Sequence, residues 1–193
     1  MSWAENDMGK RVIMKLSPIE IGDLERIRRE RNNLPAGILR TPYLLTEGMH
    51  RRWWESQIDN RDSHTRYWML QVPAERINQY GTTTEVYWEN EPVVGYGGIE
   101  NIEFESGHAE MSLMIYEDER GCGYGTEAVR MFLEEAFFEM GLDTVYAEVY
   151  ECNPNKSFWK KHDHSHHTVL RRRKRLAGKL YDSDVYYWYK EMF

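Results

Sequence analysis

Residues 120–127 read Arg-Gly-Cys-Gly-Tyr-Gly-Thr-Glu, between an apolar run, Ala109–Tyr116, and a long amphipathic segment. The setting carries more information than the glycines. Val129, Phe132, Leu133, Ala136, Phe137 and Met140 follow at i, i+3, i+4, i+7, i+8 and i+11, the spacing of one helix face, and Gly141 supplies a stop. The unit is therefore strand, glycine turn, helix. A helix start offers unbonded N–H groups and the positive end of a dipole, which suit an anion such as phosphate. Glycines let the backbone curl around that anion, and Arg120 adds a charge. A P-loop needs Gly-Lys-Ser/Thr at its end, but Gly125 is followed by Thr126 without a Lys. The dinucleotide fingerprint needs Gly-x-Gly-x-x-Gly near the chain start, and the spacing here is Gly-x-Gly-x-Gly past the middle. A kinase glycine loop lacks its other parts.

Working outward, residues 10–16 read as a first strand. Ser17 opens Ser-Pro-Ile-Glu, which predicts a helix start capped by Ser17, with Ile21, Leu24 and Ile27 as its apolar stripe. Thr46 predicts the cap of a second helix to about Ile58, with Met49, Trp53, Trp54 and Ile58 inward. Tyr67–Val72 reads as a strand and 73–82 as a loop; Glu85–Trp88 and Val93–Ile99 read as a hairpin around Glu89–Pro92. Thr144–Tyr150 is a strand, Asn155 to about His162 a short helix, and Thr168–Arg172 with Leu180–Tyr189 two closing strands. The order predicts a mixed α+β chain, 1–193, forming a single domain.

The glycine turn resembles the pyrophosphate-binding motif of the GNAT N-acetyltransferase superfamily, Arg/Gln-x-x-Gly-x-Gly/Ala, with Arg120, Gly123 and Gly125 at its fixed positions. The text on either side is similar to the branch that holds ribosomal-protein N-terminal, spermidine and amino-sugar acetyltransferases. That text includes Ala109–Ile115, Gly125–Ala128, Tyr146–Lys161, Gly178–Asp184 and Tyr186–Tyr189. The resemblance covers roughly residues 93–190 well and the first half by element order. It implies a central, mostly antiparallel twisted sheet of about seven strands with a splayed parallel pair, and about four helices. It implies acetyl-CoA as cosubstrate, no metal, and transfer to a primary amine by direct attack on the thioester.

Carried over residue by residue, the resemblance assigns the coenzyme's pantetheine arm to the backbone around Met111, Leu113, Met114 and Ile115. It assigns the pyrophosphate to Arg120, Gly121, Cys122, Gly123, Tyr124, Gly125 and Thr126, with Asn153 or Asn155 as a further contact. The attacking amine must lose a proton, and Glu110 is the first choice of base, or a substrate anchor; Glu100 and Glu103 stand in reserve. Relatives carry a Tyr as general acid in the short helix. Trp159 stands at that position, and an indole cannot donate a proton to a thiolate as a phenol does. Ser157, Tyr150 or water are the replacements, or the reaction proceeds without a general acid. Arg31, Arg40, Trp53, Trp54 and Glu100 mark the acceptor side. This half resembles, more loosely, amino-sugar acetyltransferases that accept a nucleotide-linked sugar, and arginines can hold a pyrophosphate while rings stack on a sugar or base, so the resemblance implies a nucleotide-linked amino sugar as the leading acceptor. A protein N-terminus, a polyamine and a non-catalytic acyl-CoA-binding regulator are the alternatives. Homodimers are common in this branch.

The net charge of −7 argues against a nucleic-acid partner, which demands a basic face. Two cysteines, Cys122 and Cys152, have no metal-ligand spacing and fit a reducing compartment. The polar start of the chain and the absence of a run of roughly 18 apolar residues point to a cytoplasmic protein without a membrane partner. Cys122 reads as incidental. His162, Asp163, His164, His166 and His167 read as a solvated loop rather than a metal site, and the basic run Arg171–Arg175 as a solvated hairpin.

Overall fold

Tyr67–Leu70 is an unbroken apolar and aromatic run between Arg66 and Gln71, and the resulting strand feeds two different cores. In the computed structural model, which describes residues 12–77, 83–87, 91–162 and 164–193, the strands are β1 (Lys15–Pro18), β2 (Arg66–Gln71), β3 (Ala74–Ile77), β4 (Thr83–Tyr87), β5 (Val93–Glu103), β6 (His108–Ile115), β7 (Thr144–Tyr150), β8 (His166–Leu176) and β9 (Lys179–Tyr189). The helices are α1 (Leu24–Asn32), α2 (Glu47–Trp53), α3 (Tyr124–Glu134) and α4 (Lys156–Lys161). Seven strands form one sheet in the order β1-β2-β5-β6-β7-β9-β8, antiparallel except at β6–β7. This is the α+β plan that the residues predicted.

Along β2, Tyr67 and Met69 face a small cluster with Ile19, Leu24, Ile27, Trp53, Trp54 and Ile58, beneath α1 and α2. Trp68 and Leu70 face the other way, into the main core under α3. There the predicted stripe Val129, Phe132, Leu133, Ala136 and Phe137 is buried. The Phe132 ring lies 5.8 Å from that of Trp68. Phe132→Ala is expected to lower unfolding free energy by about 3–5 kcal/mol, read as a lower urea midpoint at unchanged slope.

Four local expectations are corrected. Ser17 does not cap a helix: Ser17 and Pro18 pair with Met69 and Trp68 in β1, at the sheet edge, where Pro is tolerated. The cap moves to Glu20, whose N–H is accepted by the Asp23 carboxylate at 2.8 Å. The first strand is Lys15–Pro18, so most of 12–16 precedes it, and residues 10 and 11 lie outside the described residues. The 73–82 stretch is not all loop, because it holds β3. In place of the expected Glu85–Trp88 strand, β4 (Thr83–Tyr87) pairs with β3 rather than with Val93–Ile99, and Trp88 lies outside the described residues. β5 is satisfied on both edges by β2 and β6, which leaves no edge for a hairpin partner. The turn at 88–90 lies outside the described residues. Among the described residues no helix is long and apolar enough to cross a membrane.

Candidate active site

β6 and β7 pair in parallel only over His108–Glu110 with Thr144–Tyr146 and then separate. Beyond that point Met111–Ile115 keeps β5 on one edge and, among the described residues, has no strand on the other. The split opens a cavity of about 510 Å³. Met111, Leu113 and Met114 line it from β6, and Ala147, Val149 and Tyr150 from β7. Ile115 lies at the end of the strand, 3.7 Å from where a Cβ on Gly125 would stand.

The glycine turn follows directly. Gly121 and Gly123 have φ of 83° and 85°, which L side chains resist. Gly123 is the N-cap of α3, and the helix ladder begins with Glu127 N–H to the Gly123 carbonyl at 3.2 Å. Helix geometry leaves the amides ahead of that bond without an acceptor inside the helix. Gly125 is small for another reason: a Cβ there would come within 2.9 Å of the Phe158 ring. Arg120 Nε donates to the Ile115 carbonyl at 3.2 Å and ties the turn to the strand end. Cys122 and Thr126 are exposed on this turn.

The sheet wall of the cavity is acidic. Glu100 and Glu110 are directly opposite across β5–β6, so they share a face, and Glu148 lies on the next strand; all three line the cavity. Asn101 sits at φ 52° in a bulge of β5, and its amide donates to Glu110 Oε2 at 3.0 Å. Tyr67 Oη donates to Glu100 at 2.8 Å, but burial outweighs this and pushes the Glu100 carboxyl above its usual range. A carboxyl with a raised folded-state pKa stabilises the fold when protonated. That contribution is complete below the unfolded pKa and is lost as pH rises through the folded value. Glu100→Gln is therefore expected to raise the melting temperature at pH 7, with the gain fading toward pH 4, as thermal scans across that window would show. Burial opposes ionisation of Glu148 too, but hydrogen bonds from Arg173 at 2.9 Å and Ser183 at 2.7 Å win and hold it below the usual carboxylate range.

The arginines expected to grip a pyrophosphate have other partners. Arg31 donates to the carbonyls of Thr41 at 2.7 Å and Tyr43 at 3.0 Å and so braces the 34–45 loop. Arg40 donates to Glu110 Oε1 and lies 3.8 Å from Glu148. Burial works against the Arg40 cation, but the Glu110 partner holds its pKa above the ordinary value. The basic run is also not simply solvated. β8 bulges at Arg172, φ 57°, and this turns Lys174 inward. Lys174 is buried, donates to the carbonyls of Leu39 and, at 3.1 Å, Arg40, and lies 5.3 Å from the Tyr150 ring centroid. The irregular register at the bulge hid this from a reading of the charge run.

Of the hydroxyls considered as acids, Tyr150 is buried and lines the cavity, whereas Ser157 is exposed on α4 and does not. Trp159 lines the cavity too. Asn153 reaches the cavity; Asn155 is at the start of α4, with its N–H donated to Asn153 Oδ1 at 2.8 Å. Trp53 lines the cavity, while Trp54 Nε1 donates to the Ile19 carbonyl at 3.1 Å and packs inward. Glu103 is exposed near His108 and plays no part in the cavity. His166 and His167 are in β8 rather than a loop, His167 bonding Asp184 at 2.9 Å, and Asp163 lies outside the described residues. Among the described residues no group of His, Cys, Asp or Glu could hold a metal. Sequence reasoning missed Glu148, Asn101, Tyr67 and Lys174. For Glu148 the signal was its place two residues after Tyr146 on the splayed strand.

A parallel pair that splits beside a glycine-capped helix defines an acyl-CoA-dependent transferase fold. Residues 14–157 match the acetyltransferase (GNAT) domain model, and the chain belongs to that family. It is an N-acetyltransferase that uses acetyl-CoA, and the splayed β6 edge and the α3 turn fit such a cosubstrate. The structure is similar to the spermidine N-acetyltransferase from Vibrio cholerae in complex with CoA and spermine (TM-score 0.72, 18% identity, covering 92% of this chain and 96% of that one). It is also similar to a chimera of the Vibrio cholerae enzyme and hSSAT (0.69, 17%, 93% and 96%). A form in complex with manganese ions is similar as well (0.64, 16%, 92% and 93%). No curated protein matches the sequence.

Proposed function

We propose that this enzyme acetylates a primary amine of a small, positively charged acceptor of the polyamine type. The observation that carries the reading is the row of carboxylates Glu100, Glu110 and Glu148 on three adjoining strands facing one cavity at the strand split. Carboxylates attract protonated amines, whereas a nucleotide-linked amino sugar needs free cations, and Arg31 and Arg40 are committed elsewhere. The polyamine ligand named for the Vibrio cholerae structure supports the same class. A protein N-terminus would need an open groove, yet residues of the 34–45 loop wall the cavity.

The cosubstrate supplies an activated acyl thioester. The chain supplies carboxylates that hold the amine, with Glu110 as proton acceptor. Those N–H groups of Met111–Ile115 that point away from β5, toward the split, are the available donors for the oxyanion. Tyr150 is the hydroxyl available to the departing sulfur, in place of the Tyr that Trp159 replaces. The test is release of coenzyme thiol from acetyl-CoA with spermidine, an amino-sugar nucleotide or a short peptide as sole acceptor. Saturable turnover with spermidine supports the reading, and turnover with the sugar nucleotide alone overturns the acceptor class. Acetyl-CoA binding without turnover of any amine makes the chain a non-catalytic regulator.

A further inference from the structure

The Glu110 carboxylate that would take the amine's proton has both oxygens engaged, Oε1 by Arg40 and Oε2 by Asn101 at 3.0 Å. The guanidinium occupies Oε1, so an incoming amine must displace it to bond that oxygen. We infer that Arg40 is an internal stand-in for the acceptor's ammonium, which keeps Glu110 masked until a cationic amine displaces it. The inference rests on the proposed acceptor cavity and adds how that cavity selects and when its base is released.

Of the two partners, Arg40 is the one able to leave. Its side chain is 51% exposed, against 7% for Glu110 and 6% for Glu148. Asn101 is fixed in a strand bulge. The backbone at Arg40 is pinned independently: Lys174 holds the Leu39 and Arg40 carbonyls, and Gly37 is packed so tightly that a Cβ there would come within 2.6 Å of the Cys152 carbonyl. The guanidinium therefore swings while its loop stays in place.

The two carboxylates differ in what remains when Arg40 goes. Glu148 keeps Arg173 and Ser183. Among the described residues Glu110 keeps only the neutral Asn101, so a buried anion is left without a counter-charge, at considerable cost. An incoming ammonium makes good that loss, and a neutral acceptor of the same shape does not. Displacement then places the ammonium proton against Glu110, and the amine is unmasked where it is to react. While Arg40 is bound, Glu110 is also withheld from water. Hydrolysis would need water's oxygen to bond to the thioester carbonyl carbon, Glu110 to take water's proton, and the C–S bond to break with its electron pair leaving on sulfur.

Two readouts on Arg40→Met test this: coenzyme thiol release from acetyl-CoA with no amine present, and KM for spermidine. Both move if the inference holds, with acceptor-independent release rising about fivefold, the worth of a partly exposed ion pair, and KM falling. Arg40→Lys keeps a cation and restores low hydrolysis. Lys174→Met loosens the same loop from behind, and a smaller rise in hydrolysis is expected from it even if Arg40→Met folds poorly. A higher KM with hydrolysis unchanged would make Arg40 an acceptor anchor and overturn the inference. Spermidine turnover with both readouts unmoved sinks it and leaves the acceptor reading standing. Raised hydrolysis in a protein that accepts no amine keeps the inference and sinks the acceptor reading.

Discussion

Glu110→Gln is expected to lower kcat/KM for the amine about 10²- to 10⁴-fold, the usual worth of a positioned general base, while acetyl-CoA affinity stays unchanged. The substitution is nearly isosteric. The Gln carbonyl can still accept from Arg40, and its amide can donate to Asn101 once that side chain turns its own oxygen inward, so the network around the bulge persists. Proton-accepting power is what is lost. Stopped-flow or steady-state assays across pH separate the two roles that the sequence left open. A base loses its titrating limb in the kcat/KM profile, whereas an anchor raises KM and keeps the profile's shape. A Glu110→Gln enzyme with near-normal kcat/KM would remove Glu110 from the chemistry.

Gly123→Asp is expected to abolish most acetyl-CoA binding without unfolding the chain. Asp is a favoured N-cap residue and, with Asn, tolerates the left-handed region better than most side chains, so it suits the 85° φ at the start of α3. Its carboxylate, however, stands where the helix start offers amides to a pyrophosphate, and like charge expels the ligand. At acetyl-CoA near 100 times its dissociation constant, the parent protein should gain about 2.7 kcal/mol of apparent stability. In the variant, that ligand-induced rise in melting temperature should disappear while the ligand-independent melting temperature changes little. An undiminished shift would mean that the coenzyme phosphates are held elsewhere. Gly125 is less clean as a probe, because any side chain there strikes Phe158 and disturbs α4 as well.

The contrast between these two residues follows from how each was legible. The glycine turn and α3 were written locally: the stripe from Val129 to Met140 has a 3.6-residue period, and the capping glycines flank it in sequence. Thr46 was equally local, its hydroxyl accepting the Met49 N–H at 3.2 Å as the cap spacing predicted. Ser17 misled because its cap signature is satisfied equally by a sheet edge, and β2 was available to pair with it. The Glu85–Trp88 strand misled because alternation shows that a strand forms but not which strand it joins.

The sequence by itself determined the strand–turn–helix unit and the core face of α3, which depend on neighbours within about one helical turn or one strand, where periodicity and capping act. Its resemblance to the GNAT superfamily supplied the family and the place of Glu110 on the strand that splits. Only the tertiary structure decided what the charges do. The partners of Arg40 lie 70 and more residues away, the carbonyls that Lys174 holds more than 130, and the inward turn of Lys174 depends on a bulge at Arg172 that shifts register within β8. An ion pair depends on distance in space, and no local pattern records which distant side chain the sheet will bring within 4 Å. The acidic lining of the cavity and the pairing of Arg40 with Glu110 therefore emerged from the fold.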